Sequence, residues 1–353
     1  MLNSLNPQLD FFGLDISDRS IKFAQMKKSK EGVSLSNYGK SKLNKNLVKK
    51  GKIKDEDGLA LEIKKLLKRK GVKSNYVATS LPEEKSFFQI IKVPNVRSSR
   101  LKKEIEYKAE DSIPLSIEDV YIDYEIISET DREIKALIAA LPKKVVDPHV
   151  RTIKKAGLFP ILSEVESMSI VRSLVEKKEE ANPLLLIDIG ETKTILIVLS
   201  GSVIIFTSYI LMSSDDFTRE ISKSKEVSAT KAEDIKIKNG LSRPDIANCL
   251  DPLLEEITSN IKRHLAYYNS YGFSTQSIEE NKEIEKIILC GGGANLKGLP
   301  GYLSKKLGLS VKKGDPFVNF ASEKENAPNN PLSYGVAFGL ALRNFDQEIP
   351  YND

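Results

Sequence analysis

The chain has 353 residues, of which 40% are hydrophobic and 29% are charged, a composition typical of a folded globular protein and not of a disordered one. Its 54 Lys and Arg side chains outnumber its 49 Asp and Glu side chains slightly, for a formal charge of +5, which argues against a protein specialised for nucleic acid. Two distant cysteines, Cys249 and Cys290, exclude a disulfide framework, and no stretch approaches the roughly 20 apolar residues that cross a bilayer.

A three-stranded meander is the first predicted element. The segment FFGLDIS reads as an apolar strand that ends at an aspartate, Asp15, and a polar turn follows at residues 18–19. The alternating segment SIKFAQMKK predicts the second strand, and a turn at residues 31–32 leads to the third, VSLSNYG.

A helix and a strand follow the meander. Residues 58–70 place Leu and Ile side chains on one helical face, Gly71 ends the helix, and the strand NYVATSLP comes next. The lysine-rich stretches 42–54 and 64–70 contain no interleaved aromatic residues, so we interpret them as solvated loop and helix faces.

Residues 85–159 form a pattern of their own. The strand FFQIIKVP leads into a helix at 98–112, two strands (VYIDYEIIS and IKALIAALP) and a helix at 144–156. We predict a small α+β module at 85–159, inserted in a first domain that comprises residues 1–84 and 160–180.

A second meander, LLLIDIG, TKTILIVLS and SVIIFTSYI, repeats the first element by element. Its aspartate, Asp188, holds the place of Asp15, and 188 − 15 gives a spacing of 173 residues. A repeat this long indicates two duplicated domains and not a solenoid of short units.

The second domain is predicted to span residues 181–345. It contains a polar helical segment at 215–250, an amphipathic helix at 252–268, the strand KIILC and a helix at 299–307, and a tail follows at 346–353. Meanders followed by alternating helices and strands predict an α/β fold, two mixed sheets with helices on their faces, and we expect the two domains to face each other across a cleft.

Each aspartate lies where a strand ends and a turn begins. In a two-domain clamp both carboxylates would point into the cleft and hold Mg²⁺ or its water shell, because Mg²⁺ prefers oxygen ligands. Backbone N–H groups of the turns and nearby hydroxyls suit phosphate oxygens; the hydroxyls are those of Ser17, Ser20, Thr192 and Thr194. A single turn of this kind is a common structural hairpin, and the pairing of two favours a phosphate role.

The glycine triplet Gly291-Gly292-Gly293 follows the strand KIILC. Without Cβ atoms it allows a base or ribose to approach the backbone. A tight strand-to-helix connection explains the same glycines without any ligand.

Three segments, LDIS with IK, LIDIGETKT and IILCGGGANLKGL, resemble the first phosphate, second phosphate and adenosine motifs of the actin, sugar kinase and Hsp70 superfamily. Within it the chain resembles the PilM family of type IV pilus assembly from about residue 13 to residue 343. The family pattern begins at Ser80-Leu81-Pro82, just before the inserted module, and continues within the module, the family-specific part, at Ile113-Pro114 and Asp123-Tyr124. This resemblance implies an actin-like fold, two ribonuclease H-like domains that face a nucleotide cleft.

The resemblance also implies ATP and Mg²⁺ as cofactors, with Mg²⁺ held by Asp15 and Asp188 through water. Phosphate-binding residues would be Asp15, Ser17, Ser20, Lys22, Asp188, Gly190, Glu191, Thr192 and Thr194. Adenosine-binding residues would be Glu233, Lys236, Gly291, Gly292, Gly293 and Leu296. The pair Glu233 and Lys236 is equally compatible with an exposed ion pair on a helix surface.

Two departures from the family pattern bear on turnover. Ser17 replaces the usual glycine after the first aspartate, and Ser213-Ser214 replaces a Gly-Gly after the second meander. Glu191 is the best candidate to position a water for hydrolysis, although a solvated turn residue would look the same. We expect an ATP-binding scaffold more than an enzyme, with at most weak ATPase activity.

The resemblance implies a partner, the N-terminal cytoplasmic peptide of a PilN-like inner-membrane protein. Its groove would be lined by Phe88, Ile90, Ile105, Tyr107 and Ile113, although most of these apolar residues must belong to the core of the module itself. With no signal peptide, we expect a cytoplasmic protein that reaches the inner membrane through this partner and binds no nucleic acid. The sequence is compatible with a monomer and with a homo-oligomer.

The alternative is an FtsA-like cell-division protein. Such a protein anchors itself through a basic amphipathic helix at its C-terminus, whereas this sequence ends in NFDQEIPYND.

Overall fold

The structure is a computed structural model that describes residues 10–30, 32–176, 182–201, 203–271, 283–321 and 327–345. The predicted tail at 346–353 and Glu31 of the predicted turn at 31–32 lie outside the described residues. Internal contacts divide the chain into two compact units. Unit 1 comprises Met1–Glu83, Lys144–Lys177 and Asp315–Asp353, and unit 2 comprises Glu84–Lys143 and Lys178–Gly314.

The strands, in chain order, are β1 (Phe11–Ile16), β2 (Ser20–Ser29), β3 (Gly32–Lys42), β4 (Val48–Lys49), β5 (Lys52–Ile53), β6 (Tyr76–Leu81), β7 (Phe87–Pro94), β8 (Val120–Glu129), β9 (Glu133–Pro142), β10 (Phe159–Val165), β11 (Leu184–Ile189), β12 (Thr194–Ser200), β13 (Val203–Ile210), β14 (Lys286–Cys290) and β15 (Ser310–Lys313).

The helices are α1 (Glu56–Arg69), α2 (Ser98–Glu110), α3 (Lys143–Lys155), α4 (Glu166–Leu174), α5 (Ser214–Ser224), α6 (Ala229–Lys238), α7 (Pro244–Tyr271), α8 (Leu299–Leu307) and α9 (Gly335–Leu342). Within the described ranges, no helix combines the length and the apolar character needed to cross a membrane.

The main sheet of unit 1 has the strand order β3-β2-β1-β6-β10. Strands β1 to β3 form the predicted antiparallel meander, and β6 runs parallel to both β1 and β10. Helix α1 begins where the Asp55 side chain accepts a hydrogen bond from the Gly58 backbone N–H, an N-cap. Its apolar face, with Leu59 and Ile63, packs on Phe12 in one core cluster.

Helix α9 packs against the same unit, and all eight of its residues are buried. It contacts β1, β2, β6 and α4. The approach to α4 is so close that a Cβ on Gly339 would lie 1.8 Å from the Ser169 carbonyl oxygen. Glycine is therefore required at position 339 by packing.

The main sheet of unit 2 has the order β13-β12-β11-β14-β15, in which β11 to β13 form the second meander and β14 runs parallel to β11 and β15. Each strand matches one of unit 1, so that β1, β2, β3, β6 and β10 correspond to β11, β12, β13, β14 and β15. The predicted duplication and the α/β fold class are confirmed.

A third sheet, ordered β7-β9-β8, carries α2 on one face. Leu101, Ile105 and Ala109 of α2 pack on Ile91 and Ile138 of the sheet. Strand β7 also contacts β13, which is why residues 84–143 group with unit 2 by contacts. Residues 85–159 remain the predicted insertion in chain order, whereas the two units are defined by contacts.

Candidate functional site

The first predicted phosphate turn connects β1 to β2. Asp15 lies opposite Lys22 in the strand pair, and the Lys22 ammonium donates to Asp15 Oδ2 at 2.9 Å. Both residues are buried, at 3% and 7% exposure. The carboxylate is therefore compensated by a cation of its own hairpin.

The other carboxylate oxygen of Asp15 faces β6. The Ser80 hydroxyl donates to Asp15 Oδ1 at 3.3 Å and accepts from the Ile16 backbone N–H at 3.1 Å. Sequence reasoning did not place Ser80 in the site, although it belongs to the Ser80-Leu81-Pro82 motif that signalled the family. Its position follows from the parallel pairing of β1 and β6, which a single sequence does not reveal.

The turn itself is closed by Ser17 and Ser20. The Ser17 N–H donates to the Ser20 carbonyl at 3.0 Å, and the Ser17 hydroxyl donates to the same oxygen at 2.9 Å. Asp18 accepts from the backbone N–H groups of Lys50 at 2.7 Å and Gly51 at 2.9 Å. One residue of this turn thus holds the tip of the β4–β5 hairpin.

The second predicted turn connects β11 to β12 with the same backbone geometry. The Gly190 N–H donates to the Lys193 carbonyl at 2.9 Å, the counterpart of the bond between Ser17 and Ser20. Asp188 lies opposite Ile195 on β12 and beside Cys290 on β14. Burial raises the pKa of the Cys290 thiol well above its ordinary value, and the negative charge of Asp188 raises it further.

The second turn is tied to α5 through its backbone. The Ser214 N–H donates to the Gly190 carbonyl at 2.9 Å, and the Asp215 N–H donates to the Glu191 carbonyl at 3.2 Å. The Thr194 hydroxyl donates to the Met212 carbonyl at 2.7 Å, and Thr194 is fully buried.

Lys193, at the end of this turn, forms an ion pair with Glu84, in which both side chains are mostly buried. The pair was not foreseen from the sequence, because 109 positions separate its members. It joins the second turn to the segment that leads into β7.

The glycine triplet is positioned by contacts within unit 2. Gly291 has φ +76°, and a Cβ there would lie 2.3 Å from Asp188 Oδ1 and 2.5 Å from the Ile189 carbonyl oxygen. A Cβ on Gly293 would lie 2.3 Å from the Ile189 side chain. These glycines are needed to bring β14 against β11, and the predicted adenosine role of the loop, including the buried Leu296, stays a prediction.

On α6 the predicted adenosine residues Glu233 and Lys236 belong to one polar network, in which Lys236 is buried and Glu233 is exposed. The Lys236 ammonium lies 2.8 Å from Glu233 Oε2, 2.8 Å from Thr218 Oγ1, 2.7 Å from Ser214 Oγ and 3.1 Å from the Ser214 carbonyl oxygen. Lys236 is only 7% exposed. An exposed surface ion pair therefore describes Glu233 but not Lys236, and Ser214 is part of the network.

The five residues predicted to line a peptide groove divide into two groups. Ile105 and Ile113, at 1% and 5% exposure, belong to the core of the α+β module. Phe88 and Ile90 are partly buried, and Tyr107 is 71% exposed.

The donor set fits phosphate groups better than a directly coordinated metal. The turns offer backbone N–H groups, hydroxyls and the Lys22 ammonium, which are ligands for phosphate oxygens. Among the described residues no three His, Cys, Asp or Glu side chains come together as a metal cluster. A Mg²⁺ ion that is bound mainly through a nucleotide keeps several waters and needs only one or two protein carboxylates.

Comparison with known proteins gives a match over nearly the whole chain. A family model described as Type IV pilus assembly protein PilM matches residues 13–345. A chain in the structure of the PilM-PilN type IV pilus biogenesis complex is 24% identical and aligns with a TM-score of 0.82, over 96% of this chain and 99% of its own length.

Two more distant proteins match, one by its structure and one by its sequence. MreB5 of Spiroplasma citri bound to ADP is 16% identical, with a TM-score of 0.56 over 94% of this chain and 95% of its own. Cell division protein FtsA of Streptococcus pneumoniae serotype 2, strain D39, is 22% identical over 199 residues, which is 51% of this chain. The match spans only 42% of that relative's length.

Proposed function

The chain belongs to the family of the type IV pilus assembly protein PilM, and from this premise we propose that it is an actin-like, ATP-binding scaffold of a pilus assembly platform. One observation carries the proposal: the family match at residues 13–345 includes both duplicated sheets and both aspartate-bearing turns. The scaffold would work at the cytoplasmic face of the inner membrane, where a partner holds it.

In this proposal both turns supply phosphate ligands. The Lys22 ammonium, the Ser20 hydroxyl and the turn N–H groups would bind phosphate oxygens, and the Ser17 hydroxyl would exchange its bond to the Ser20 carbonyl for one to phosphate. When bound, Mg²⁺ supplies charge neutralisation of the phosphates, and Asp188 and Asp15 would hold its water shell. Lys236 and Glu233 would orient the ribose, and the loop at Gly291 to Leu296 would flank the base.

Binding is favoured over turnover in this assignment. Glu191 is the candidate to orient an attacking water, and a backbone bond from Asp215 to its carbonyl holds its main chain in place. Ser17 carries a hydroxyl that donates to the Ser20 carbonyl, so it closes the turn that a glycine would leave more open to phosphate. We expect at most a slow ATPase.

The partner we propose is the N-terminal cytoplasmic peptide of a PilN-like membrane protein. The named PilM-PilN complex supports this, since its PilM-like chain covers the whole fold. Tyr107 presents exposed surface on α2, which Ile105 and Ile113 hold from the core of the module, while Phe88 and Ile90 are partly buried on β7.

Calorimetric titration of that peptide, with and without ATP and Mg²⁺, tests the proposal. We expect saturable peptide binding that Tyr107→Ser weakens strongly. Tyr121→Ser is the matched control, because Tyr121 is also exposed, at 49%, and lies elsewhere on the same module. An absence of peptide binding in both nucleotide states would refute the scaffold assignment.

ATP affinity is measured separately, with the Asp188→Ala variant. We expect at best micromolar-range binding by the native chain and a strong loss in the variant. Equal affinities would remove Asp188 from the site, whatever the peptide does.

An FtsA-like role in cell division is the second candidate, because the 22% identity to FtsA extends over half of this chain. A fluorescent fusion that concentrates at the division site, together with no binding of the pilus peptide, would favour it.

A further inference from the structure

The β4–β5 hairpin of unit 1 carries an unusual concentration of one charge. Residues 42–54 contain six lysines and no acidic residue. All six side chains are exposed: Lys42, Lys45, Lys49, Lys50, Lys52 and Lys54. Within the part of the chain that the structure describes, none of these ammonium groups takes part in an ion pair.

The hairpin sorts its residues onto two faces. Val48 and Ile53 lie directly opposite each other, and Val48 packs into the core of unit 1 while Ile53 is partly buried against it. Lys49 and Lys52 form the next pair, on the solvent side. Lys50 lies in the two-residue turn between them, so three ammonium groups project from the tip of a core-anchored hairpin.

This arrangement does not serve the stability of the hairpin. Like charges directly opposite each other in a strand pair repel. Lys50 has φ +50°, a left-handed conformation that asparagine or glycine adopts more readily than lysine. The Lys49–Lys52 repulsion and the left-handed Lys50 both lower the stability of the hairpin, which indicates that these lysines have a role outside the fold.

The nearest acidic residues are engaged elsewhere. Asp55 caps α1 through the Gly58 N–H, and Glu56 and Asp57 pair with cations of α3. The Asp18 carboxylate is used by the backbone N–H groups of the hairpin tip. The tip is therefore held in a fixed conformation while its side-chain charges remain available.

We propose that this lysine hairpin docks on the anionic lipid headgroups of the membrane surface. The choice of a membrane rests on the proposed function, which brings the chain to an inner membrane. Nucleic acid is disfavoured because residues 42–54 contain no aromatic side chain on which a base can stack. Leu43, Leu47 and Val48 of the segment are buried and Ile53 is partly buried against the same core, so the contact is electrostatic and does not insert into the bilayer.

The lysine hairpin alone binds the membrane weakly, but it strengthens membrane attachment when a partner already holds the protein there. Each lysine near an anionic surface contributes about a fivefold gain in partition, so a tip of three contributes on the order of 100-fold. A partner peptide would raise the local concentration of the hairpin at the bilayer. The hairpin thereby supplements attachment through the partner.

Vesicle flotation of the full-length protein tests the proposal. We expect binding to vesicles that mix phosphatidylglycerol with phosphatidylcholine, and none to phosphatidylcholine alone. Raising the salt concentration should release the protein, because the Debye length falls from about 10 Å at 0.1 M to about 3 Å at 1 M. Equal binding to both vesicles, or binding that persists at high salt, would overturn the proposal.

Two triple variants locate the contact. Lys49→Gln, Lys50→Asn and Lys52→Gln together should reduce anionic partition by about 100-fold. The control, Lys64→Gln, Lys65→Gln and Lys68→Gln on exposed positions of α1, removes the same charge and should stay within about threefold of the native protein. Equal losses in both variants would reduce the effect to total charge and contradict a hairpin site.

Two further readouts keep the outcome clear. A DNA duplex that displaces the protein from anionic vesicles at equal phosphate concentration would reassign the hairpin to nucleic acid. The hairpin variant should bind the partner peptide and ATP as the native chain does, so a failure of membrane docking is distinguishable from a failure of the proposed function. Its thermal unfolding should match the native transition, since asparagine tolerates the left-handed position.

Discussion

The β1–β2 and β11–β12 turns share their strand register and their closing backbone hydrogen bond, but the side chains around their aspartates differ. In the first, the residue opposite Asp15 is Lys22, and in the second, the residue opposite Asp188 is Ile195. On the other side, Asp15 meets the Ser80 hydroxyl whereas Asp188 lies beside the Cys290 thiol.

The difference shows that a duplicated backbone can keep its register while its electrostatics diverge. Unit 1 pairs its carboxylate with a buried ammonium, and in unit 2 Gly291 packs closely against the carboxylate of Asp188. The first turn should therefore be sensitive to the loss of a charge and the second to an added Cβ. Stability measurements on matched variants can separate these two dependences.

Removal of the Lys22 cation should have the largest effect. Lys22→Met leaves the buried Asp15 carboxylate without its ion-pair partner, and we expect the free energy of unfolding to fall by about 3–5 kcal/mol. Urea denaturation measures this. Ile195→Met at the matched position of unit 2 should cost less than about 1.5 kcal/mol, because it conserves volume and removes no charge.

The double variant Asp15→Asn with Lys22→Met completes this test. It should recover part of the lost stability, because the uncompensated charge is removed. If Lys22→Met and Ile195→Met were equally mild, charge pairing would not distinguish the two turns.

Addition of a methyl group at Gly291 probes the steric side of the comparison. Gly291→Ala introduces a Cβ within 2.5 Å of the Ile189 carbonyl oxygen at a left-handed φ, and we expect a loss of about 2–4 kcal/mol. Gly301→Ala on α8 is the control, since its Cβ would meet no atom within 4 Å. Denaturation should show Gly301→Ala neutral or stabilising by up to about 1 kcal/mol.

The smallest effect concerns pH and the Cys290 thiol. Since burial raises its pKa in the folded state, the folded protein keeps this proton at pH values where the unfolded chain loses it. The resulting stability is complete below the ordinary thiol pKa of about 8.5 and is lost as pH rises above it, by at most about 1.4 kcal/mol per pH unit.

Denaturation at several pH values above 8 should therefore show a shallower decline in Cys290→Ala than in the native protein. Cys249→Ala serves as the control, because Cys249 is half-buried and its pKa is raised less. An identical pH slope in both variants would show that the environment of Asp188 does not hold the thiol proton.

The sequence predicted the duplication because apolar periodicity and strand-end aspartates are local signals. It predicted α1 at 58–70, whereas the helix runs over Glu56–Arg69. The helix starts two residues earlier than predicted because Asp55 caps it before the apolar face begins. The sequence did not predict the Ser80–Asp15 hydrogen bond or the Lys193–Glu84 ion pair. In each case many residues separate the two partners, and only the folded chain brings them together.

The surroundings of single side chains were predicted less well than the helices and strands that carry them. Ile105 and Tyr107 stand two positions apart on α2, so helical periodicity places them on opposite faces, one buried and one exposed, although both were predicted to line one groove. Lys236 looked like a surface partner of Glu233, but the hydroxyls of Ser214 and Thr218 enclose its ammonium. Side-chain environments of this kind depend on which neighbouring helix lies next to them.

The burial of α9 sets the order in which this protein can fold during synthesis. Strands β1 and β2 leave the ribosome well before the helix that covers them through Phe338 and Ala341. Unit 2 has all of its chain by Gly314, and Gly335, where the helix starts, comes 21 positions later. Unit 1 is therefore completed after unit 2, and a nascent chain halted at residue 314 should leave the apolar face of its sheet open to chaperones.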